Sequence, residues 1–342
     1  MLTIGLDVHL SRTSVCILDA RGNTLRQQEV KGGQEAVAQL LAKLEEPFQV
    51  CYEASTGYGA LYQRLRPLAQ RVEVAHPGRL RLIFKSCKKN NRADAQKLAS
   101  LLHLNQVPAV HVPAQEVRSW RGLIEHRRSL VDRGVSVKNQ IRALLRCQGI
   151  KGPARERQWT KAGVQWLLET PWPTAMEKLR AEVMVEQLAD LRRQLARVTG
   201  MLNEKGLGHA GVVLLMTIPG IGPRTAEAFM AYVDDPQRLS GGTIGAYFGL
   251  IPREDSTGEH RRLGHITREG PSTVRKLLIE ACWRGVSQSR RIQEIYERHL
   301  KGDRSRRKLA LVATSHWLCR VMLAMLKSGQ AFREAAPAAA PQ

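Results

Sequence analysis

The order of the predicted strands and helices in the first 115 residues limits the possible folds more than any other feature of this sequence. Three short apolar stretches, at residues 2–8, 13–18 and 24–30, follow one another and are joined by turns of hairpin length. Stretches with apolar residues at helical spacing then alternate with two further short apolar stretches, at 48–52 and 72–75. The resulting order, β-β-β-α-β-α-β-α, predicts an α/β layer.

This order is the one found in RNase H-like domains. We therefore predict an α/β RNase H-like domain at residues 1–115. Because many other α/β folds also alternate strands with helices, the order alone does not establish an activity.

The rest of the chain is predicted to be mostly helical and to form two further parts. Residues 116–205 form a helical region, in which apolar side chains recur at alternating steps of three and four: Ala181, Met184, Leu188, Leu191, Leu195, Val198 and Leu202. That spacing predicts a coiled coil or a long antiparallel helix pair, although an ordinary bundle helix gives the same pattern. Residues 206–330 form a mostly α domain, and the Ala/Pro-rich residues 331–342 are predicted to be a disordered tail.

The net charge of the chain indicates which class of molecule it binds. The chain carries 53 Lys and Arg against 31 Asp and Glu, a formal net charge of +22. Such an excess in a folded chain favours a polyanion as the binding partner, and nucleic acid rather than a membrane. The alternative is a basic ribosomal protein, or a protein whose charge serves only solubility.

The six cysteines are scattered without a CxxC pair, so neither a zinc site nor a disulfide framework is indicated. With no signal peptide or membrane span predicted, we expect a soluble cytoplasmic protein.

Three acidic residues lie at positions that the predicted fold brings close together. Asp7 and Glu53 end two strands, and Asp94 opens a helix. Carboxylates crowded at one sheet edge repel one another unless divalent cations neutralise them. Ligation by oxygen alone suits Mg²⁺ (or Mn²⁺), which assists phosphoryl transfer. A single acid at a strand end is more often a solvated cap, so the prediction depends on all three.

A second motif opens the third part of the chain. The turn Pro219-Gly220-Ile221-Gly222 lies between two apolar helical stretches and is typical of a helix-hairpin-helix. Backbone N–H groups of such a turn, with Arg224 and Thr225 beside them, can hold a DNA phosphate without reading sequence. A helix hairpin used only for packing is the alternative.

Three strings in the sequence resemble one known family. They are Lys89-Asn90-Asn91-Arg92-Ala93-Asp94-Ala95, the Ala-Tyr-Phe-Gly-Leu of 246–250 and the Gly-His-Ile-Thr-Arg-Glu-Gly-Pro of 264–271. Over about residues 2–330 the chain resembles the IS110 (IS1111-type) insertion-sequence transposases, which are bridge-RNA-guided DNA recombinases. That resemblance implies that the RNase H-like domain at residues 1–115 is RuvC-like and carries an Asp-Glu-Asp-Asp tetrad. Asp7, Glu53 and Asp94 match this tetrad, while Asn91 stands where the third acid is expected. The Asn91 amide oxygen can ligate a hard cation but brings no charge.

The same resemblance implies roles in the C-terminal domain. A serine just before the Ala-Tyr-x-Gly-Leu string joins DNA covalently in the family, and by position that serine is Ser240, with Ser256 as the fallback. Arg261, Arg262 and Arg268, together with Arg275 and Lys276, are predicted to contact phosphates. Donor and target DNA, a structured guide RNA and a homo-oligomer are the implied partners.

These observations predict a transposase or site-specific DNA recombinase that cleaves and rejoins strands by metal-assisted transesterification through a serine. Two alternatives stay open: a RuvC-like structure-specific endonuclease that uses water, and a weakened, purely nucleic-acid-binding protein if Asn91 abolishes metal binding. The resemblance places the protein in the bacterial cytoplasm, on the nucleoid when it acts.

Overall fold

A computed structural model describes residues 1–83, 91–154, 156–254 and 262–334. The chain divides into two compact units, Met1–Arg118 and Ser119–Gln342. The predicted division into a domain, a helical region and a second domain stays a prediction.

Unit 1 is built on one five-stranded mixed sheet. The strands are β1 (Leu2–Val8), β2 (Arg12–Leu18), β3 (Thr24–Lys31), β4 (Phe48–Glu53) and β5 (Arg71–Ala75), and their spatial order is β3-β2-β1-β4-β5. The first three strands pair antiparallel, whereas β4 pairs parallel with both β1 and β5. This mixed α/β sheet agrees with the predicted RNase H-like class.

Among the described residues of unit 1, four helices accompany the sheet: α1 (Gln34–Leu41), α2 (Tyr58–Leu65), α3 (Pro77–Ile83) and α4 (Asn91–His103). The sequence prediction missed α3, because Leu80 is its one buried side chain and seven residues give no helical period. Helix α4 packs closely on β1 at Gly5, where an added Cβ would collide with the carbonyl oxygen of Ala95. The missing side chain of Gly5 therefore sets how close α4 lies to the central strand.

Unit 2 is mostly helical, as predicted. Its helices are α5 (Gln115–Cys147, which begins just before the unit boundary), α6 (Lys161–Glu169), α7 (Ala175–Leu207), α8 (Ala210–Leu215), α9 (Pro223–Val233), α10 (Ile244–Tyr247), α11 (Ser272–Gln288), α12 (Arg290–Leu300) and α13 (Arg307–Ser328). Two short strands, β6 (Pro252–Glu254) and β7 (Leu263–Ile266), form an antiparallel pair.

The repeating apolar face of α7 packs against α5 of the same chain. Ala181, Met184, Leu188 and Leu191 are buried in one cluster with residues of α5 from Leu130 to Leu145. The two helices run antiparallel, since Arg127 near the start of α5 bonds Thr199 near the end of α7. Of the predicted alternatives, the structure contains the long antiparallel helix pair. A coiled coil between copies of the chain stays a prediction.

Helix α13 contributes to the core of unit 2. Together with the 3₁₀ turn before it, at 304–306, it is long and apolar enough by composition to cross a membrane. However, Leu318, Cys319, Met322 and Leu323 are buried in the core around α9. A core helix of this kind passes the same compositional test, so membrane insertion does not follow from it.

Candidate active site

The sheet register brings two of the predicted acids side by side. Leu6 of β1 pairs with Tyr52 of the parallel strand β4, and Asp7 and Glu53 each follow by one residue. Because side chains alternate along a strand, Asp7 and Glu53 emerge on the same face of the sheet. Parallel neighbours lie about 5 Å apart, so both carboxylates reach the same volume.

Helix α4 covers that face and supplies the third acid. Gly5, two residues before Asp7, contacts α4, and Cys51, two residues before Glu53, is buried in a cluster with leucines of α4. Asp94 lies in the first turn of the same helix. The close approach at Gly5 therefore fixes the distance between Asp94 and the strand-end carboxylates.

The electrostatics of Asp7 reflect this crowding. Burial raises the pKa of Asp7, the nearby charge of Asp94 raises it further, and His9 partly offsets both effects. His9 Nε2 lies 3.2 Å from Asp7 Oδ2, and Lys97 Nζ lies 2.8 Å from Asp94 Oδ1. Asp7 and Asp94 thus each have a positively charged or potentially charged neighbour that the sequence analysis did not identify.

The donor chemistry of these acids fits a hard divalent cation. Asp7, Glu53 and Asp94 offer carboxylate oxygens, the ligands that Mg²⁺ prefers. Within the described ranges, however, no three His, Cys, Asp or Glu side chains are grouped tightly enough to hold a metal ion. Asn91 is exposed and forms the first residue of α4, one turn before Asp94, while Lys89 and Asn90 lie outside the described residues. The metal-binding role of all four residues stays a prediction.

The Pro-Gly-x-Gly segment forms a tight turn between α8 and α9. Gly220 has a φ of +87°, and an added Cβ would lie 2.6 Å from Gly285 N and 2.7 Å from Ala281 O of α11. By contrast, Gly222 precedes α9 with a φ of −91° and has open space around it. One glycine is therefore required for packing, and the other leaves the backbone accessible.

Two side chains predicted to bind DNA at this turn are turned inward. Arg224 Nη2 donates to Asn203 Oδ1 at 2.5 Å and to Glu227 Oε1 at 2.6 Å, and Thr225 is buried. Glu227 is only 1% exposed, and burial raises its pKa to about 7 against the opposing influence of Arg224 and Arg127. The Arg224 guanidinium thus has internal partners in the protein alone. Its contact with DNA stays a prediction.

Substituting the two glycines separates packing from DNA binding. Gly220→Ala should lower the free energy of unfolding by about 2–4 kcal/mol, because the residue is left-handed and overpacked. Gly222→Ala should leave the melting temperature nearly unchanged. If a phosphate approaches this turn, Gly222→Ala should weaken DNA binding roughly tenfold, the equivalent of one charged hydrogen bond of about 1.5 kcal/mol.

Gly200→Ala on α7 is the matched control for that experiment, because Gly200 also has open space and its added methyl lies away from the turn. Thermal melting and filter binding at one fixed salt concentration measure the two effects. Unchanged DNA affinity in Gly222→Ala would assign the turn to packing alone.

Ser240 is exposed and lies at the start of the turn that leads into α10. Its Oγ is 3.1 Å from Thr243 Oγ1 and accepts a hydrogen bond from Thr243 N, while Ser240 N donates to Thr243 Oγ1 at 2.9 Å. Ser240 and Thr243 thus bond each other's backbone N–H reciprocally, in the turn before α10, whose N-cap is Thr243. The hydroxyl therefore has a defined orientation on the protein surface.

Side chains on both sides hold this loop in place. Arg238 donates to the carbonyl oxygens of Val233 and Tyr232, both at 2.8 Å. Lys327 of α13 donates to the carbonyl oxygen of Leu239 at 2.7 Å. After the serine, Gly241 and Gly242 leave the approach to the hydroxyl open. A fixed, accessible hydroxyl is what a nucleophile for a bulky substrate requires.

The two strings at 246–250 and 264–271 fold against each other. Arg268 N donates to Gly249 O at 3.3 Å. Arg275 Nη1 donates to the carbonyl oxygens of Phe248 and Glu269, and its Nη2 to that of Arg268. The guanidinium of Arg275 therefore joins the two loops, and its contact with phosphate stays a prediction.

The other arginines that are predicted to contact phosphates are either exposed or outside the described residues. Arg268 is exposed, with a left-handed φ of +57°, and its side chain makes no hydrogen bond to a described residue. Arg262 is also exposed. Arg261 and Ser256 lie outside the described residues, so their predicted roles stay untested.

Comparisons with known proteins agree with these motifs. A family model for DEDD-type IS110 transposases matches residues 4–148, and the model for the transposase IS116/IS110/IS902 family matches residues 212–297. The chain is 30% identical over 288 residues to "Putative transposase y4qE" of Sinorhizobium fredii, covering 82% of this chain and 70% of the relative. It is 26% identical to the transposase for insertion sequence element IS1328 of Yersinia enterocolitica (82% of each chain). It is 24% identical to that for IS1111A of Coxiella burnetii (82% and 76%).

Proposed function

Because the chain belongs to the IS110 family of transposases and is a DNA transposase, we propose that it cuts and rejoins DNA through a covalent link to Ser240. The observation that carries the proposal is the exposed Ser240 hydroxyl, oriented by Thr243 on a loop that Arg238 and Lys327 hold in place. A solvated loop serine would not need three anchoring side chains.

The proposed reaction is a transesterification. The Ser240 oxygen attacks a DNA phosphorus, the bond from phosphorus to one DNA oxygen breaks, and the proton lost by the serine is balanced by protonation of the departing hydroxyl. The phosphodiester linkage is conserved in the serine ester, so a DNA hydroxyl can later displace the serine without ATP. Attack by water would not conserve it.

Asp7, Glu53 and Asp94 are the residues of unit 1 that would hold divalent cations, with the amide oxygen of Asn91 as a neutral fourth donor. The strand register that places Asp7 and Glu53 on one face of the sheet, and the packing on that face of α4, which carries Asp94, support this assignment. Mg²⁺ or Mn²⁺ bound there would neutralise charge that develops on the phosphate and the leaving oxygen.

Further properties follow from the proposed function. The net charge of +22 supports binding of donor and target DNA and of a structured guide RNA. We extend the proposal to a helix-hairpin-helix at 218–226, to a homo-oligomer assembled in part by coiled-coil contacts of the 116–205 region, and to action on the bacterial nucleoid.

The test of this function is the detection of a protein–DNA adduct. The full chain, with the RNA that copurifies with it, is incubated in Mg²⁺ with labelled duplexes that carry the DNA flanking its coding region. A labelled band that resists denaturing electrophoresis and disappears after protease treatment is the expected result. Metal-dependent nicking without such a band would identify the endonuclease alternative, and binding without nicking the non-catalytic one.

Asn91, which stands where the third acid of the tetrad is expected, yields a separate prediction. Asn91→Asp should lower the Mg²⁺ concentration for half-maximal cleavage by roughly fivefold, since one added charge near a cation contributes about 1 kcal/mol in a water-like medium. A Mg²⁺ titration of cleavage rate measures the shift. The matched control is Asn105→Asp, beyond the opposite end of α4, whose side chain accepts a hydrogen bond from Arg71 that aspartate would keep. An equal shift in both variants, or none in either, would show that residue 91 does not face the metal site.

A further inference from the structure

One face of α13 follows the loop that carries Ser240. Lys327 bonds the carbonyl oxygen of Leu239 at 2.7 Å. Arg320, seven residues earlier, lies beside Gly241, where an added Cβ would be 3.8 Å from Arg320 Nε. His316, one turn before Arg320, lies against Gly245. Steps of four and seven keep His316, Arg320 and Lys327 on the same side of the helix.

These three basic residues are not equivalent. Lys327 is exposed, and its ammonium group donates to the loop. His316 is partly buried, and its pKa is lowered by that burial and then by the charge of Arg320. Arg320 is exposed and forms no hydrogen bond or ion pair with any residue in the described part of the chain. At neutral pH, Arg320 is therefore an unpaired positive charge next to the Ser240 loop.

We propose that Arg320 binds the non-bridging oxygens of the phosphodiester that Ser240 attacks, and that it is a catalytic residue for strand transfer. This inference rests on the proposed function of Ser240. Arg320 forms and breaks no covalent bond: its guanidinium stays protonated and stabilises the negative charge on the phosphate as the serine–phosphorus bond forms and the bond to the departing DNA oxygen breaks. A planar, always charged donor suits that role.

Gly241 provides an independent reason for the assignment. In the protein alone there is room for a methyl group at this position, since its closest neighbour would be Arg320 at an ordinary contact distance. The glycine is therefore not explained by packing. A phosphate held between Arg320 and the loop would occupy that space, and a methyl group there would exclude it.

Arg320 lies outside the segments that the family models match. The matched segments end at residue 297, whereas α13 begins at Arg307. Thus the side chain assigned to the scissile phosphate comes from a helix that neither family model includes.

The experiment compares Arg320→Gln, Arg320→Lys, Gly241→Ala and Ser240→Ala in the adduct assay with duplexes of the flanking DNA and the copurified RNA. Arg307→Gln is the matched control, because it removes one exposed, unpaired arginine from the same helix, far from the loop. Maximal rates at saturating DNA, DNA dissociation constants and melting temperatures are measured for each protein.

We expect Arg320→Gln to lower the maximal rate about 100-fold, the usual loss for one donor to a charged transition state. DNA affinity and melting temperature should change little, Arg320→Lys should retain intermediate activity, and Gly241→Ala should also be slow. Arg307→Gln should match the parent.

Parental rates in Arg320→Gln or Gly241→Ala, with Ser240→Ala inactive, would overturn the role of Arg320 and leave the nucleophile intact. An equal rate loss in Arg307→Gln, or a loss that follows the melting temperature, would overturn it as well. Adduct formation by Ser240→Ala would instead overturn the proposed function itself.

Discussion

Ser240→Ala should abolish both the covalent adduct and the rejoined DNA product, a loss of at least about a thousandfold, as expected when a nucleophile is removed. The hydroxyl is exposed and its loop is held by Arg238 and Lys327, so the backbone should keep its conformation. The capping contact with Thr243 is lost, which should cost about 1 kcal/mol of stability. Nucleic-acid affinity should remain that of the parent.

Two companion variants sharpen this result. Ser240→Cys should retain a trace of adduct, because a thiol attacks but its larger sulfur is displaced from the position of the oxygen. Thr243→Ala keeps the nucleophile and removes the partner that orients it, so its rate should fall while its adduct remains. Mass spectrometry of the trapped peptide after nuclease digestion identifies the modified residue. Modification of Ser256 would show that Ser256 is the nucleophile. If no serine is modified, the result would favour the endonuclease alternative.

Asp7→Ala and Glu53→Ala should each lower strand cleavage at least about a thousandfold while DNA binding stays within about twofold, because metal ligands are removed and the basic surface is retained.

Asp7→Ala should not destabilise unit 1. The Asp7 carboxylate is partly desolvated and lies near Asp94, and both conditions disfavour its charged form. Its removal should therefore leave the melting temperature equal or higher, as is common for functional carboxylates.

The matched control for the carboxylates is Glu46→Ala. Glu46 is exposed and lies before the start of β4, whereas Glu53 ends that strand, so both substitutions remove one acid from opposite ends of the same strand. Cleavage, binding and melting are measured in parallel. If either strand-end variant cuts at the parental rate, or if Glu46→Ala is equally impaired, the carboxylate site is wrong.

The sequence by itself determined the architecture of unit 1. Its strands are short apolar stretches, separated by hairpin-length turns or by stretches with helical spacing, and these signals are local. The strand bounds predicted at 2–8, 13–18, 24–30, 48–52 and 72–75 therefore lie within one residue of the observed ones. The proximity of Asp7 and Glu53 follows from the same information, because both lie at the ends of strands that the predicted fold makes neighbours, and Leu6 and Tyr52 before them are paired.

Only the tertiary structure decided what each charged side chain does. Arg224 and Arg275 resemble any other basic residue in the sequence, yet Arg224 is half-buried and bonded to Glu227, and Arg275 binds three backbone carbonyls. Lys327 supports the Ser240 loop from 88 residues away. Burial and partner choice depend on which distant elements pack together. A local pattern therefore fixes the strands and the acids they carry, while tertiary contacts decide which arginines stay free to meet a phosphate.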